Sequence, residues 1–129
     1  MYIGKTYRAV QRIGGVVVKL YSGTVTASGD SKTTYLWIPP FISRANLFIE
    51  ATENSGDHNL NAKVVTMHPR VPGHSDVWYD LQAFTQLTGT GNEKKSLQGG
   101  LGDKLAVVWT LSGGTAGNWT FSVYAELKL

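Results

Sequence analysis

Residues 118–129, NWTFSVYAELKL, place Trp119, Phe121, Val123, Ala125, Leu127 and Leu129 at alternate positions, with Thr120, Ser122, Tyr124, Glu126 and Lys128 between them. Successive side chains of a β-strand point to opposite faces, so this two-residue rhythm sends the apolar set to a core and the polar set to solvent or a partner. An amphipathic helix needs apolar residues every three to four positions, and this stretch does not supply them.

The same grammar runs back through the chain from about residue 16. KLAVVWTL alternates Leu105, Val107, Trp109 and Leu111 against Ala106, Val108 and Thr110, apolar on both faces, which predicts a central strand. RANLFIEATE sets Ala45, Leu47, Ile49 and Ala51 against Arg44, Asn46, Phe48 and Glu50, and LNAKVVTM follows after the turn NSGDH; these two read as neighbouring antiparallel strands. VVVKLY, GTVTAS, TTYLWI and EKKSLQ are further strand candidates. In VWYDLQAFTQLTGTG the large residues change parity between Trp78 and Phe84, so either a bulge near Gln82 or a single helical turn is required to bury them. Pro39-Pro40 ends one strand, and GGLGD and SGGTAGN supply turns.

Eight or nine short strands without an amphipathic helix lack the crossovers a parallel sheet requires. The expected fold is all-β: an antiparallel sandwich, jelly-roll-like, of about eight strands with an N-terminal arm. A chain of 129 residues suits one such domain. Residues 1–21 are assigned to the arm and first strand and residues 22–129 to the sandwich. With 42% hydrophobic and 16% charged residues the composition is that of a globular protein. There is no cysteine, so packing must hold the fold without disulfides or thiolate-bound zinc. No run approaches the roughly 18 apolar residues of a membrane span, and MYIGKTYRAVQRIGG is no secretory signal, so a cytoplasmic origin is expected.

Chemistry-bearing patterns are sparse. His68 and His74, in HPRVPGH with Asp76 nearby, could hold a metal in principle, but a surface loop stiffened by Pro69 and Pro72 accounts for the same residues. Asp76 with Asp80, and Glu50 with Glu53, are the nearest carboxylate pairs. Sequence proximity does not build the cleft in which a glycosidase holds two acids about 5–10 Å apart. There is no GxSxG elbow, and GTGNEKKS lacks the spacing of a phosphate-binding loop and reads as a hairpin turn. The expectation is a binding or building protein, not an enzyme, with no cofactor, metal or small-molecule substrate.

Trp109 and Trp119 fall on inferred inner faces, whereas Trp37 beside Pro39-Pro40, Tyr79, Tyr124 and Tyr2 are candidates for exposed contact. The charge of +3 is uneven: Lys5, Arg8, Arg12 and Lys19 precede the first acid, Asp30, so residues 1–29 carry +4 and the remainder −1. Four cations so widely spaced make a weak field after screening, and nucleic-acid binding is not expected.

TASGDS, WYDLQAFTQLTGTG and LAVVWTLSGGTAGNWTFSVYAEL, in this order, resemble small β-sandwich virion proteins of tailed bacteriophages, of the head decoration or cement type. The likeness covers roughly residues 23–129. It implies a sandwich on the outside of the capsid, assembled in the host cytoplasm, with the major capsid protein and its own copies as partners, as a homotrimer. Residues 1–21 would then be the fastening segment, with Tyr2, Ile3, Lys5, Tyr7, Arg8 and Arg12 in contact, joined by Trp37 on the sandwich. The chain departs from the family pattern at MHPRVPGHSDVWYD, where a shorter turn is usual, which makes Arg70 and His74 contact candidates peculiar to this loop. The alternatives are another virion module (tail, baseplate or head fibre) and a carbohydrate-binding module.

Overall fold

A computed structural model describes residues 16–67 and 77–129, and it is a two-sheet antiparallel sandwich. Its strands are β1 (Val16–Val25), β2 (Gly29–Asp30), β3 (Leu36–Trp37), β4 (Arg44–Gly56), β5 (Asn59–Met67), β6 (Trp78–Ala83), β7 (Gly91–Leu97), β8 (Lys104–Ser112) and β9 (Gly117–Lys128). One sheet has the order β1-β9-β4-β7; the other has the order β2-β8-β5-β6, with β3 also on β8. If β2 and β3 are counted as one interrupted strand, each sheet has four and the chain crosses repeatedly between them, a jelly roll.

The alternating runs become the sheet centres. In β9 the residues Trp119, Phe121, Val123, Ala125 and Leu127 are buried between β1 and β4, while Leu129 lies past the strand end and is exposed. In β8, Leu105, Val107 and Trp109 face Leu47, Ile49 and the other buried residues of the opposite sheet, forming one core. Each large side chain so buried contributes about 1.5–3 kcal/mol. Tyr21, Trp109 and Phe121 close the core with ring centroids 4.4, 5.0 and 5.6 Å apart.

Several readings are corrected. The strands β4 and β5 are not neighbours: β4 pairs β9 and β7, whereas β5 pairs β8 and β6 in the other sheet. Both have an apolar face, and the two faces meet across the core instead of lying side by side. The switch is made at Gly56, whose φ of +83° and close approach to Gly117, 2.2 Å from where a Cβ would stand, fold the chain over the sandwich edge. VVVKLY and the first half of GTVTAS, as far as Val25, form the single strand β1, with its register irregularity between Lys19 and Tyr21. TTYLWI begins within a 3-10 turn, Lys32–Thr34, and only its Leu36 and Trp37 form a strand, the two-residue β3. In β6 the partners step from Gln82 on Val64 to Asp80 on Val65, leaving Leu81 as the extra residue of a bulge, and Phe84 is buried beyond it. The bulge, not a helical turn, resolves the parity change.

Candidate binding surface at one end of the sandwich

Register places the starts of β1, β4, β6 and β8 and the ends of β3, β5, β7 and β9 at one end of the domain. All six exposed large hydrophobic residues among those described, Val17, Trp37, Phe41, Val77, Tyr79 and Leu129, belong to these segments. The opposite end is polar and tied by hydrogen bonds. There the Asp57 carboxylate accepts from the backbone N–H groups of Thr115 (2.9 Å) and Ala116 (3.2 Å), His58 Nδ1 donates to the Gly113 carbonyl (2.6 Å), and Asn118 donates to Ser55 (3.0 Å). The two backbone bonds hold the Asp57 carboxyl below its usual range.

The two outer faces also differ. On the β1-β9-β4-β7 sheet, Ser22 meets Ser122, Thr24 meets Thr120, and Asn46 links Glu126 to Ser96, so that face is a lattice of hydroxyls and amides. On the other sheet, Trp37, Lys104, Met67 and Trp78 form one cross-strand row over β3, β8, β5 and β6. Tyr35 sits above this row, 5.4 Å from Trp37 in an edge-to-face contact at 79° and 6.3 Å from Trp78 at 54°. The Lys104 ammonium lies 4.5 Å from the Tyr35 ring centroid and 4.6 Å from that of Trp37. Lys104 is only 3% exposed, and Met67, Val65 and Ala106 are buried beside it on what would otherwise be a solvent face. At the same end lies a groove of about 390 Å³, with Thr66, Tyr79 and Leu81 on one wall and Gly100–Gly102 on the other.

Of the residues proposed from sequence, Trp37 lies in this surface, 42% exposed, and Tyr79 on its rim. Tyr124 is elsewhere, half-buried on the polar sheet face. Tyr2, Ile3, Lys5, Tyr7, Arg8, Arg12, Arg70 and His74, and the histidine loop with Asp76, lie outside the described residues. Asp80 pairs with Lys63 at 2.8 Å, and Glu50 is exposed on the polar face. Among the described residues no three His, Cys, Asp or Glu side chains gather as a metal site. Tyr35 and Lys104 were missed. The signal for Lys104 was parity: it falls in step with Ala106 and Val108 and is the one charged residue on that side of β8.

The arrangement defines a jelly-roll β-sandwich with one polar and one apolar end. No family model matches the chain, and no curated protein matches it. Among solved structures it is similar to a CBM4 protein at TM-score 0.55 and 12% identity, over 93% of this chain and 83% of that one. A part of tripeptidyl peptidase 2 also superposes at TM-score 0.55 and 8% identity, over 90% of this chain but 10% of that protein. A chain of infectious bursal disease virus, Gx strain, aligns at TM-score 0.42 and 17% identity, over 90% of this chain and 27% of its own length. At such identities the likeness to the first two is one of fold alone.

Proposed function

We propose that this chain is a virion structural protein of the capsid-decoration type, which seats its apolar end on an assembled protein shell and stabilises the lattice. A fold hosts many functions, so it is the surface that distinguishes them. The observation that carries it is the one-ended distribution of Val17, Trp37, Phe41, Val77, Tyr79 and Leu129 against a polar far end. A domain that docks by one end and meets solvent by the other needs this polarity. Binding the assembled lattice in preference to free subunits stabilises the shell by linkage, without chemistry or cofactor. Repetition over symmetry-related seats lets each contact be modest. In this reading residues 1–15, which join β1 at the apolar end, help to fasten the domain, and its copies associate on the shell.

A sugar-binding role draws less support from the aromatic cluster. Tyr35 is inclined at 79° to Trp37 and at 54° to Trp78, so these rings do not form the flat platform on which a pyranose ring stacks.

The test is co-sedimentation of the purified chain with expanded, undecorated capsids. The native chain should pellet with the shells, and a Val17→Asp, Tyr79→Asp double variant should stay in the supernatant while keeping a β-sheet circular dichroism spectrum. Absence of native binding, or equal binding by the variant, would sink the assignment.

A further inference from the structure

The outermost strand of a sheet shows a row of backbone N–H and C=O groups that no strand beside it takes up, and an edge left unguarded invites another chain to pair with it. Most edges of this sandwich are guarded. β7 carries Glu93, Lys94 and Lys95 within seven residues, β2 and β3 have two residues each, and β6 is six residues long with a bulge at Leu81 and the exposed Asp80 beside it. β1 differs from all of these. It runs for ten residues with one charge, Lys19, and no proline, and it pairs on one side only, with β9. Among the described residues no backbone bond from outside the sheet reaches Val16–Val25.

We propose that the open edge of β1 is a self-association site, at which Tyr21–Val25 pairs antiparallel with the same residues of a second copy about a two-fold axis at Gly23. The residues of the edge select this occupant. The register irregularity at Leu20 interrupts the ladder on one side and the strand ends at Val25 on the other, so Tyr21–Val25 is the longer uninterrupted stretch and Gly23 is its middle. Centred there, Ser22 stands opposite Thr24 of the second copy on the outer face, and Tyr21 stands opposite Val25 of the second copy on the core side. Hydroxyl with hydroxyl and aromatic with β-branched are both favourable cross-strand pairs. The outer row already holds the Ser22–Ser122 bond at 2.9 Å and the Thr24–Thr120 bond at 2.7 Å, so the hydroxyl lattice of one copy runs on into the next. Gly23, over which the Tyr21 ring lies, brings no side chain to the axis. A shift of one residue would set core-side groups against outer ones, and centring on Lys19 would bring like charges face to face. A foreign strand could take the backbone bonds, but a second copy meets every one of these pairings by symmetry. The result is one continuous sheet, four strands from each copy, and it stands independently of the decoration reading.

Two measurements on the full chain test this. Few residue pairs make a small interface, so sedimentation equilibrium from micromolar to millimolar concentration should show a weak monomer–dimer equilibrium. A Ser22→Lys, Thr24→Lys double variant sets like charges opposite each other on both sides of the axis and should weaken the dimer roughly 10-fold. A Ser22→Lys, Thr24→Glu double variant sets opposite charges there and should restore it. Both positions are exposed, so each variant should keep its β-sheet circular dichroism spectrum. A native chain that stays monomeric or forms trimers overturns the proposal, as does undiminished dimerisation of the first variant or failure of the second to recover. In the other measurement, amide hydrogen exchange of the native chain is compared between dilute and concentrated samples, and it decides if a variant does not fold. Protection within Tyr21–Val25 that grows with concentration is expected; the same exchange in both samples overturns the site. Capsid binding enters neither readout, so failure of the decoration role and failure of the edge are told apart.

Discussion

Trp119 is fully buried, and its indole N–H donates to the His58 carbonyl at 3.1 Å, joining the start of β9 to the corner between β4 and β5. Replacing it with phenylalanine keeps an aromatic ring but removes that donor and part of the ring. A void of roughly 40 Å³ costs about 1 kcal/mol at ~24 cal/mol per Å³. The lost apolar contact adds about 1 kcal/mol, and the lost hydrogen bond about 1 kcal/mol more. The expected destabilisation is therefore about 3 kcal/mol, and at this chain length about 4 °C of Tm per kcal/mol gives a drop of about 12 °C. The matched control is Trp37→Phe, since Trp37 is 42% exposed and the exchange should cost less than about 1 kcal/mol. Thermal unfolding followed by circular dichroism on both variants decides the matter. If Trp119→Phe melts within about 2 °C of Trp37→Phe, the core assignment of Trp119 and the role of its hydrogen bond are wrong.

Acid should loosen the polar end and the β7 edge before the core. Asp57 is held below its ordinary value of 3.8 by the Thr115 and Ala116 backbone bonds. For Glu93, partial burial pushes the carboxyl up, but the two Thr85 hydrogen bonds and Lys95 outweigh it and leave the carboxyl below its ordinary 4.5. A depressed carboxylate contributes stability that is complete above its unfolded value and is lost as pH falls through its folded value. Denaturant midpoints should thus decline below about pH 4.5, and Asp57→Asn should flatten the decline; an unchanged slope would contradict the assignment. At Gly102 a Cβ would stand 1.9 Å from the Met67 carbonyl oxygen, whereas at Gly99 it would meet nothing within 4 Å. Gly102→Ala should therefore cost about 3 kcal/mol by denaturant unfolding, while Gly99→Ala should stay within about 0.5 kcal/mol; equal midpoints would refute the tight packing of that turn.

Much of the sandwich was legible because alternation reports directly on which side chains are buried. The runs around Trp119, Trp109 and Leu47 became sheet centres as their periodicity required. Alternation does not say which strand lies alongside. Two strands joined by a short turn, such as β4 and β5, can pair or can face each other across a core with the same pattern, and here Gly56 and Gly117 decide for the second. TTYLWI misled because β-branched and aromatic residues favour strands only where a ladder awaits them, and just Leu36 and Trp37 find one on β8. In the candidate surface, Trp37 was legible from its place before the proline pair. The burial of Lys104 follows from Tyr35 and Trp37 closing over it, a tertiary contact no local pattern encodes.

β9 lies between β1 and β4, so the earliest described strand and a middle one share a partner that is made after both. A growing chain is synthesised from its N-terminus, and until β9 emerges the apolar faces of β1 and β4 have no ladder between them. Half of the sandwich is thus withheld until synthesis has reached Lys128. Chains broken off before that point would lack a finished wall, so only copies whose translation has passed the keystone can close the core.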